Sequence, residues 1–373
     1  MALTHFSSLR VLVARKHASA RTAGTLRLHA GDWVEVRPLE DILATLDAQG
    51  CLDAMPFMPE MARFCGQRFQ VFKSAHKTCD TIHTYTGRRL QDAVHLAGLR
   101  CDGGFHGGCQ AGCLLFWKEA WLRRVDGSRD AAAGERGHTA VESEAVRDGV
   151  ARLTRQTCGE DMSAGEPRYR CQATELLRAT APLSIFDPRH YLRDVTTGNL
   201  TWPRLLRGTV FALYDKLQRL RTAWRSRHGI AKADQPIERL NLQPGELVQV
   251  RSKAEIMATL DDGVRNRGLS FDAEMAPYCG RTMRVLRRVE RILDEKTGRM
   301  LRLRKDCIIL EDAVCSGLRC GIRRLGCPKS VYPYWREGWL RRVEGAPSRR
   351  VEGASDATAA YGSCAKEERE LPA

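Results

Sequence analysis

Residues 28–47, LHAGDWVEVRPLEDILATLD, and residues 242–261, LQPGELVQVRSKAEIMATLD, carry one pattern twice, and reading that pattern decides the fold. In each copy a glycine opens a stretch that alternates apolar and polar residues, GDWVEVR and GELVQVR, as a strand with one buried face should. LEDILATLD and KAEIMATLD follow, placing Ile42, Leu43 and Leu46, or Ile256, Met257 and Leu260, on one face of a short helix. The register continues without a gap through MARFCG and MAPYCG to Val71 and Val285. The copies meet again at AGLRC (Cys101) and SGLRC (Cys320), then at WKEAWLRRV (Trp117–Val125) and WREGWLRRV (Trp335–Val343). One chain thereby supplies its own two-sequence comparison.

Working outward, residues 1–27 read as a basic flexible arm and 28–126 as the first cysteine-rich module. Residues 127–149 form a Gly/Ala/charge-rich linker, 150–240 a helical middle segment, 242–345 the second module, and 346–373 a disordered tail that holds Cys364. The expected class is α+β: two β-rich modules, each a small open SH3-like barrel, flank the helical segment. MRVLRRVERILDEKTGRMLRLRKDCIIL reads as two strands joined through Lys-Thr-Gly, with Gly298 supplying positive φ. Trp-x-Glu-x-Trp near the end of each module reads as a closing strand with both indoles on one face, a core more simply than a stacking platform.

At 373 residues the chain has room for two or three domains. No apolar run approaches the roughly 18 residues that span a bilayer. The N-terminus lacks a sustained apolar h-region, which gives a cytoplasmic expectation and reduced thiols. A net charge of +15 favours anionic partners. In TWPRLLRGTVFALYDKLQRLRTAWRSR (201–227), Leu206, Val210, Leu213, Leu217, Leu220 and Trp224 recur at helical spacing among arginines. That stripe either packs on the modules or lies on an anionic surface such as the inner membrane.

Fourteen cysteines in a reducing compartment point to ligands or reactive groups. Tetrahedral zinc takes about four thiolate and imidazole ligands. Cys65 matches Cys279, and Cys101 matches Cys320 within the shared GLRC. Counting back from the tryptophans, Cys109 matches Cys327. DAVHLAGLRC against DAVCSGLRC sets His95 opposite Cys315, and an imidazole–thiol exchange suits a zinc ligand. The expected sites are therefore Cys65, His95, Cys101 and Cys109 in the first module, and Cys279, Cys315, Cys320 and Cys327 in the second. Buried packing thiols are the competing reading, which suits Cys65 and Cys279 best, each between an aromatic residue and a glycine. Cys307, in KDCIIL, is a substitute ligand for Cys320 or Cys279. In the first module Cys79, between His76 and His83, and Cys113, near His106, are surplus. Cys79, Cys101, Cys109 and Cys113 could hold an iron–sulfur cluster. Alternatively, Cys79 or Cys113 is a thiolate nucleophile, with His83 or His106 as acid or base.

At GLRCDGGFHGGCQAGCLLFWKEAWLRRV, YRCQATELLRA (Tyr169–Ala179) and RVLRRVERILDEKTGRMLRLRKDCIIL, the chain resembles a family of bacterial proteins with tandem cysteine-rich modules. Such proteins accompany glycosyltransferase, polysaccharide or natural-product biosynthesis genes. The resemblance implies an accessory role with protein partners in such a pathway, and disfavours chromosomal DNA binding. Three readings result: a zinc-binding accessory or scaffold protein, a metal- or iron–sulfur-dependent enzyme working in the first module, and a nucleic-acid binder. The last is weakest, because aromatic residues do not interleave with the arginine clusters.

Overall fold

Two antiparallel sheets are laid out alike, four strands of the first matching the four of the second. In the first, the order is Trp117–Lys118, Ala93–Leu96, Arg68–Ser74, Trp33–Val36 and Leu122–Arg124; in the second, Ile308–Leu310, Thr282–Arg288, Leu247–Val250 and Leu340–Arg342. Trp33 pairs with Gln70 and Leu247 with Arg284; Val71 pairs with Leu96 and Val285 with Leu310. Each residue is displaced from its counterpart by 214 positions (285 less 71, 310 less 96). Both long strands carry a bulge at the same place, Val71/Lys73 and Val285/Arg287. In this computed structural model the described residues are 26–126, 144–160, 167–225, 240–261 and 263–343. Nearly all of the expected arm, the tail with Cys364, and linker residues 127–143 lie outside them.

The architecture is mixed helix and sheet, with several small antiparallel sheets and few helices, as an α+β chain requires. Neither sheet closes into a barrel among the described residues. One reason lies in the Trp-x-Glu-x-Trp segment, which turns through a 3-10 helix, Glu119–Trp121 or Glu337–Trp339, instead of continuing as a strand. Its glutamate is occupied. Glu119 accepts the N–H groups of Arg27 and Leu28, and Glu337 those of Leu240, Asn241 and Leu242. Trp117, Trp121, Trp335 and Trp339 are fully buried, so the indoles are core. The Trp121 and Trp339 N–H groups donate to Thr45 and Thr259 at 3.1 and 2.9 Å. Those threonines end the two short helices, Leu39–Leu43 and Lys253–Ala258, that the repeated pattern places after its first strand.

A hairpin leaves each half, Lys77–Cys79 with Gly87–Arg89 in the first and Arg291–Leu293 with Met300–Arg302 in the second. The second includes the expected turn, with Gly298 at φ 70, but the stretch forms four strands instead of two. The hairpins pack on opposite halves. Leu293 sits in the first half's core, with Ile292 and Met300 against it. From the first hairpin, Lys77 Nζ donates to Leu325 O at 2.8 Å, and Gly87 lies so near Arg323 O that a methyl group there would come within 2.9 Å.

The middle segment braces this exchange. The Glu144–Thr157 helix starts inside the expected linker and buries Leu153 in the first core. Buried Gln172 donates to Pro56 O and Phe116 O and accepts Phe116 N–H. The long Trp202–Arg225 helix does not bury the described part of the expected stripe, and the side chains of Leu220 and Trp224 lie outside the described residues. Leu206, Val210, Leu213 and Leu217 are each more than half exposed, while Leu205 and Ala212 face inward and Gly208 meets Leu325 and Leu318. No helix among the described residues is long and apolar enough to cross a membrane.

Candidate metal centre

Glu60, Cys101 and His106 converge at the foot of the first sheet, with one ligand atom of each within 4.8 Å of the others. Cys101 Sγ lies 3.3 Å from His106 Nε2. The turn that brings them together requires glycine at 103: its φ is +79, and a Cβ there would strike Cys109 O at 2.0 Å. Close backbone approach sets Cys109 beside Cys101. Together with Cys113 and Cys171, these thiols line a cavity of about 50 Å³, room for a few waters.

Burial shapes the electrostatics of this pocket. It pushes the Glu60 carboxyl up to about 7 and the His106 imidazole down to about 4. It also holds Cys113 up to about 11 and Cys171 to about 12. Cys101 is raised well above the ordinary thiol value, first by burial and then by Glu60 and the neighbouring thiols. Both Glu60 oxygens and His106 Nδ1 are buried without a full hydrogen bond among the described residues; the Cys101 thiol lies by Glu60 only as a weak donor. A buried carboxylate with no partner costs several kcal/mol, and a cation in the pocket would remove that cost.

The same constellation recurs in the second half. Glu274, Cys315 and Cys320 lie within 4.8 Å of one another, each 214 positions beyond Glu60, Cys101 and His106 (274 less 60, 315 less 101, 320 less 106). Gly317 repeats Gly103, with φ +76 and a Cβ that would meet Cys327 O at 2.5 Å. The pockets differ in their carboxylates. Glu274 accepts Ser316 N–H at 2.8 Å, Ser316 Oγ–H at 2.7 Å and Arg319 N–H at 2.5 Å, so the loop that carries Cys315 and Cys320 satisfies it.

These positions correct the residue matching read from sequence. The shared GLRC is a coincidence five residues out of register, and the structural counterpart of Cys101 is Cys315, not Cys320. His95 matches Ile309 and joins neither cluster. It is fully buried on its strand, its Nδ1 2.9 Å from Leu115 O and its ring 4.5 Å from that of Phe116. The imidazole–thiol exchange exists, at His106 and Cys320. Cys65 and Cys279 join neither cluster: each packs against its half's core, and burial holds both thiols up. Cys307 is also a core residue, among Val289, Ile309 and the tyrosines at 332 and 334.

Of the surplus first-half residues, Cys113 and His106 do line the pocket, whereas His83 lies 3.6 Å from Asp80 on a half-buried turn, outside either cluster. Cys79 does not line the first pocket and lies against Cys327 instead. The four cysteines expected around an iron–sulfur cluster are thus three, with Cys171 taking the place of Cys79. Sequence reasoning missed Cys171 and Glu60. Glu60 was within reach, because Glu-Met-Ala recurs unshifted at 60–62 and 274–276. No protein-family model, curated protein or solved structure matches the chain.

Proposed function

We propose that this is a zinc-binding protein built from two related modules, and that its chemically active centre is the first-half pocket, with Cys101, His106 and Cys109 as ligands and Glu60 beside them. The observation that carries this reading is the convergence of a thiol, an imidazole and an orphaned carboxylate on one buried cavity. Structural zinc sites close with four protein ligands; catalytic sites keep three and an open position for water or substrate. The position that a hairpin side chain would fill here is held by Leu293, which has no ligand atom and donates only its N–H to Cys109 Sγ at 3.3 Å. With Leu293 in that place, one coordination position faces the cavity. Glu60, whose carboxyl converges on the same point, stands beside it as the group for proton transfer. This favours a metal-dependent enzyme over a pure scaffold.

The test is elemental analysis and an absorption spectrum of the reduced, purified protein. A colourless protein containing zinc, with one ion lost in both Cys101→Ser and His106→Ala, supports the reading. Undiminished zinc in those variants refutes it. The four thiols around the cavity, Cys101, Cys109, Cys113 and Cys171, favour an iron–sulfur cluster as the second reading. A brown protein with visible absorbance would establish that instead.

A further inference from the structure

We infer that the second cluster is a separate, closed tetrathiolate zinc site that joins the two halves, with Cys315, Cys320 and Cys327 supplied by the second and Cys79 by the first. It stands independently of the first-pocket reading, because it shares no ligand with that pocket and closes with four thiolates.

The geometry is pairwise. The Cys315 and Cys320 sulfurs lie within 4.8 Å of one another, the Cys327 backbone closes on Gly317, and the Cys79 thiol lies against that of Cys327. Cys315 lies within electrostatic reach of Cys79, and Cys320 of Cys327. Cys79 and Cys327 are buried.

Comparison of the halves shows why the fourth ligand comes from across the molecule. Cys79 and Leu293 are counterparts (293 less 79 is again 214), at the ends of hairpin strands that each reach the other half's cluster. Leu293 meets Cys109 through its backbone, and Cys79 meets Cys327, the counterpart of Cys109, through its thiol. Where the first pocket receives a leucine and stays open, the second receives a cysteine and closes. Glu274 does not compete, being bound by the N–H and hydroxyl groups of the Cys315–Cys320 loop.

Charge also balances. Four thiols binding Zn²⁺ release four protons and leave a net charge of −2 on the centre. Lys73, facing Cys327 and Cys315, is placed to offset it, and buried Lys329, paired with Glu295 at 3.9 Å, also lies near Cys79 and Cys327.

The experiment uses the full chain, purified reduced, with zinc counted per chain. Two ions are expected in the wild type. Cys79→Ser and Cys327→Ser should each lose one while Cys279→Ser keeps both. Because Cys79→Ser could unfold the chain, Cys79→His is the companion variant, read by zinc-edge X-ray absorption in a Cys101→Ser background that leaves only this centre. The Cys101→Ser protein should show four sulfurs at about 2.3 Å; adding Cys79→His should change that shell to three sulfurs and one nitrogen. An unchanged zinc count in Cys79→Ser, an unchanged sulfur shell in Cys79→His, loss of zinc in Cys279→Ser, or a Cys79–Cys327 disulfide in metal-free wild type would each overturn the inference. If Cys101→Ser loses no zinc while Cys79→Ser does, the first-pocket reading fails and this one stands.

Discussion

Replacing His95 by isoleucine, the residue its counterpart position already holds, should flatten the acid limb of the stability profile without removing metal. His95 is fully buried, and burial depresses its imidazole from 6.5 to about 4. The native state therefore keeps it neutral where the unfolded chain protonates it. Between those two values the unfolded state binds more protons, so stability falls as pH falls through the window from about 6.5 to about 4. The shift corresponds to about 3 kcal/mol when complete, of which about 2 kcal/mol is lost between pH 7 and pH 5. At pH 7 the exchange forfeits the contact with Leu115 O, about 1 kcal/mol, but also removes the orphaned Nε2, so the net change is within about 1 kcal/mol. The assay is denaturant unfolding of wild type and His95→Ile at pH 7 and pH 5, with zinc counted in both proteins. The difference between the two proteins should move by about 2 kcal/mol in favour of the variant at pH 5. An unchanged difference, or loss of an ion from the variant, would refute this assignment of His95 to the core.

Glu60→Gln should stabilise the metal-free protein by about 1–3 kcal/mol, since an unpartnered buried carboxylate is neutralised; calorimetry after chelation checks this, and destabilisation would show a hidden partner. Asp194→Ala should cost about 3–5 kcal/mol, because Lys77 loses its buried carboxylate and His76 its neighbour at 3.3 Å; a cost under about 1 kcal/mol in urea unfolding would contradict that burial. Leu206→Asp with Val210→Asp should leave stability within about 0.5 kcal/mol per site, whereas Leu205→Ala on the inward face should cost about 2 kcal/mol or more. Equal losses would mean that the exposed stripe is covered.

Local pattern carried much of the fold. The Gly-led strands, the short helices and the register as far as Val71 and Val285 were readable, because alternation and helical spacing are properties of neighbouring residues. Beyond Val71 the identical tetrapeptide GLRC misled: four matching letters outweighed the pairing of Leu96 and Leu310 with those valines, which keeps the sheets in step. The imidazole–thiol exchange was sound chemistry assigned to the wrong histidine. Cys101, His106 and Cys109 lie close along the chain and were within reach. Cys171 and the Cys79–Cys327 contact were not, since each depends on a segment folding back from a remote part of the chain. The exposed face of the Trp202–Arg225 helix had the same cause: apolar spacing says that a face exists, while Gly208, seated on Leu325, decides which face turns inward.

The crossed hairpins have one more consequence. Identical subunits that trade arms about a two-fold axis must accept every substitution twice, once in each pocket. With both arms on one polypeptide, a cysteine can stand at 79 while a leucine stands at 293. Covalent linkage thus releases the pockets from sameness, leaving one free to be sealed while the other admits a guest.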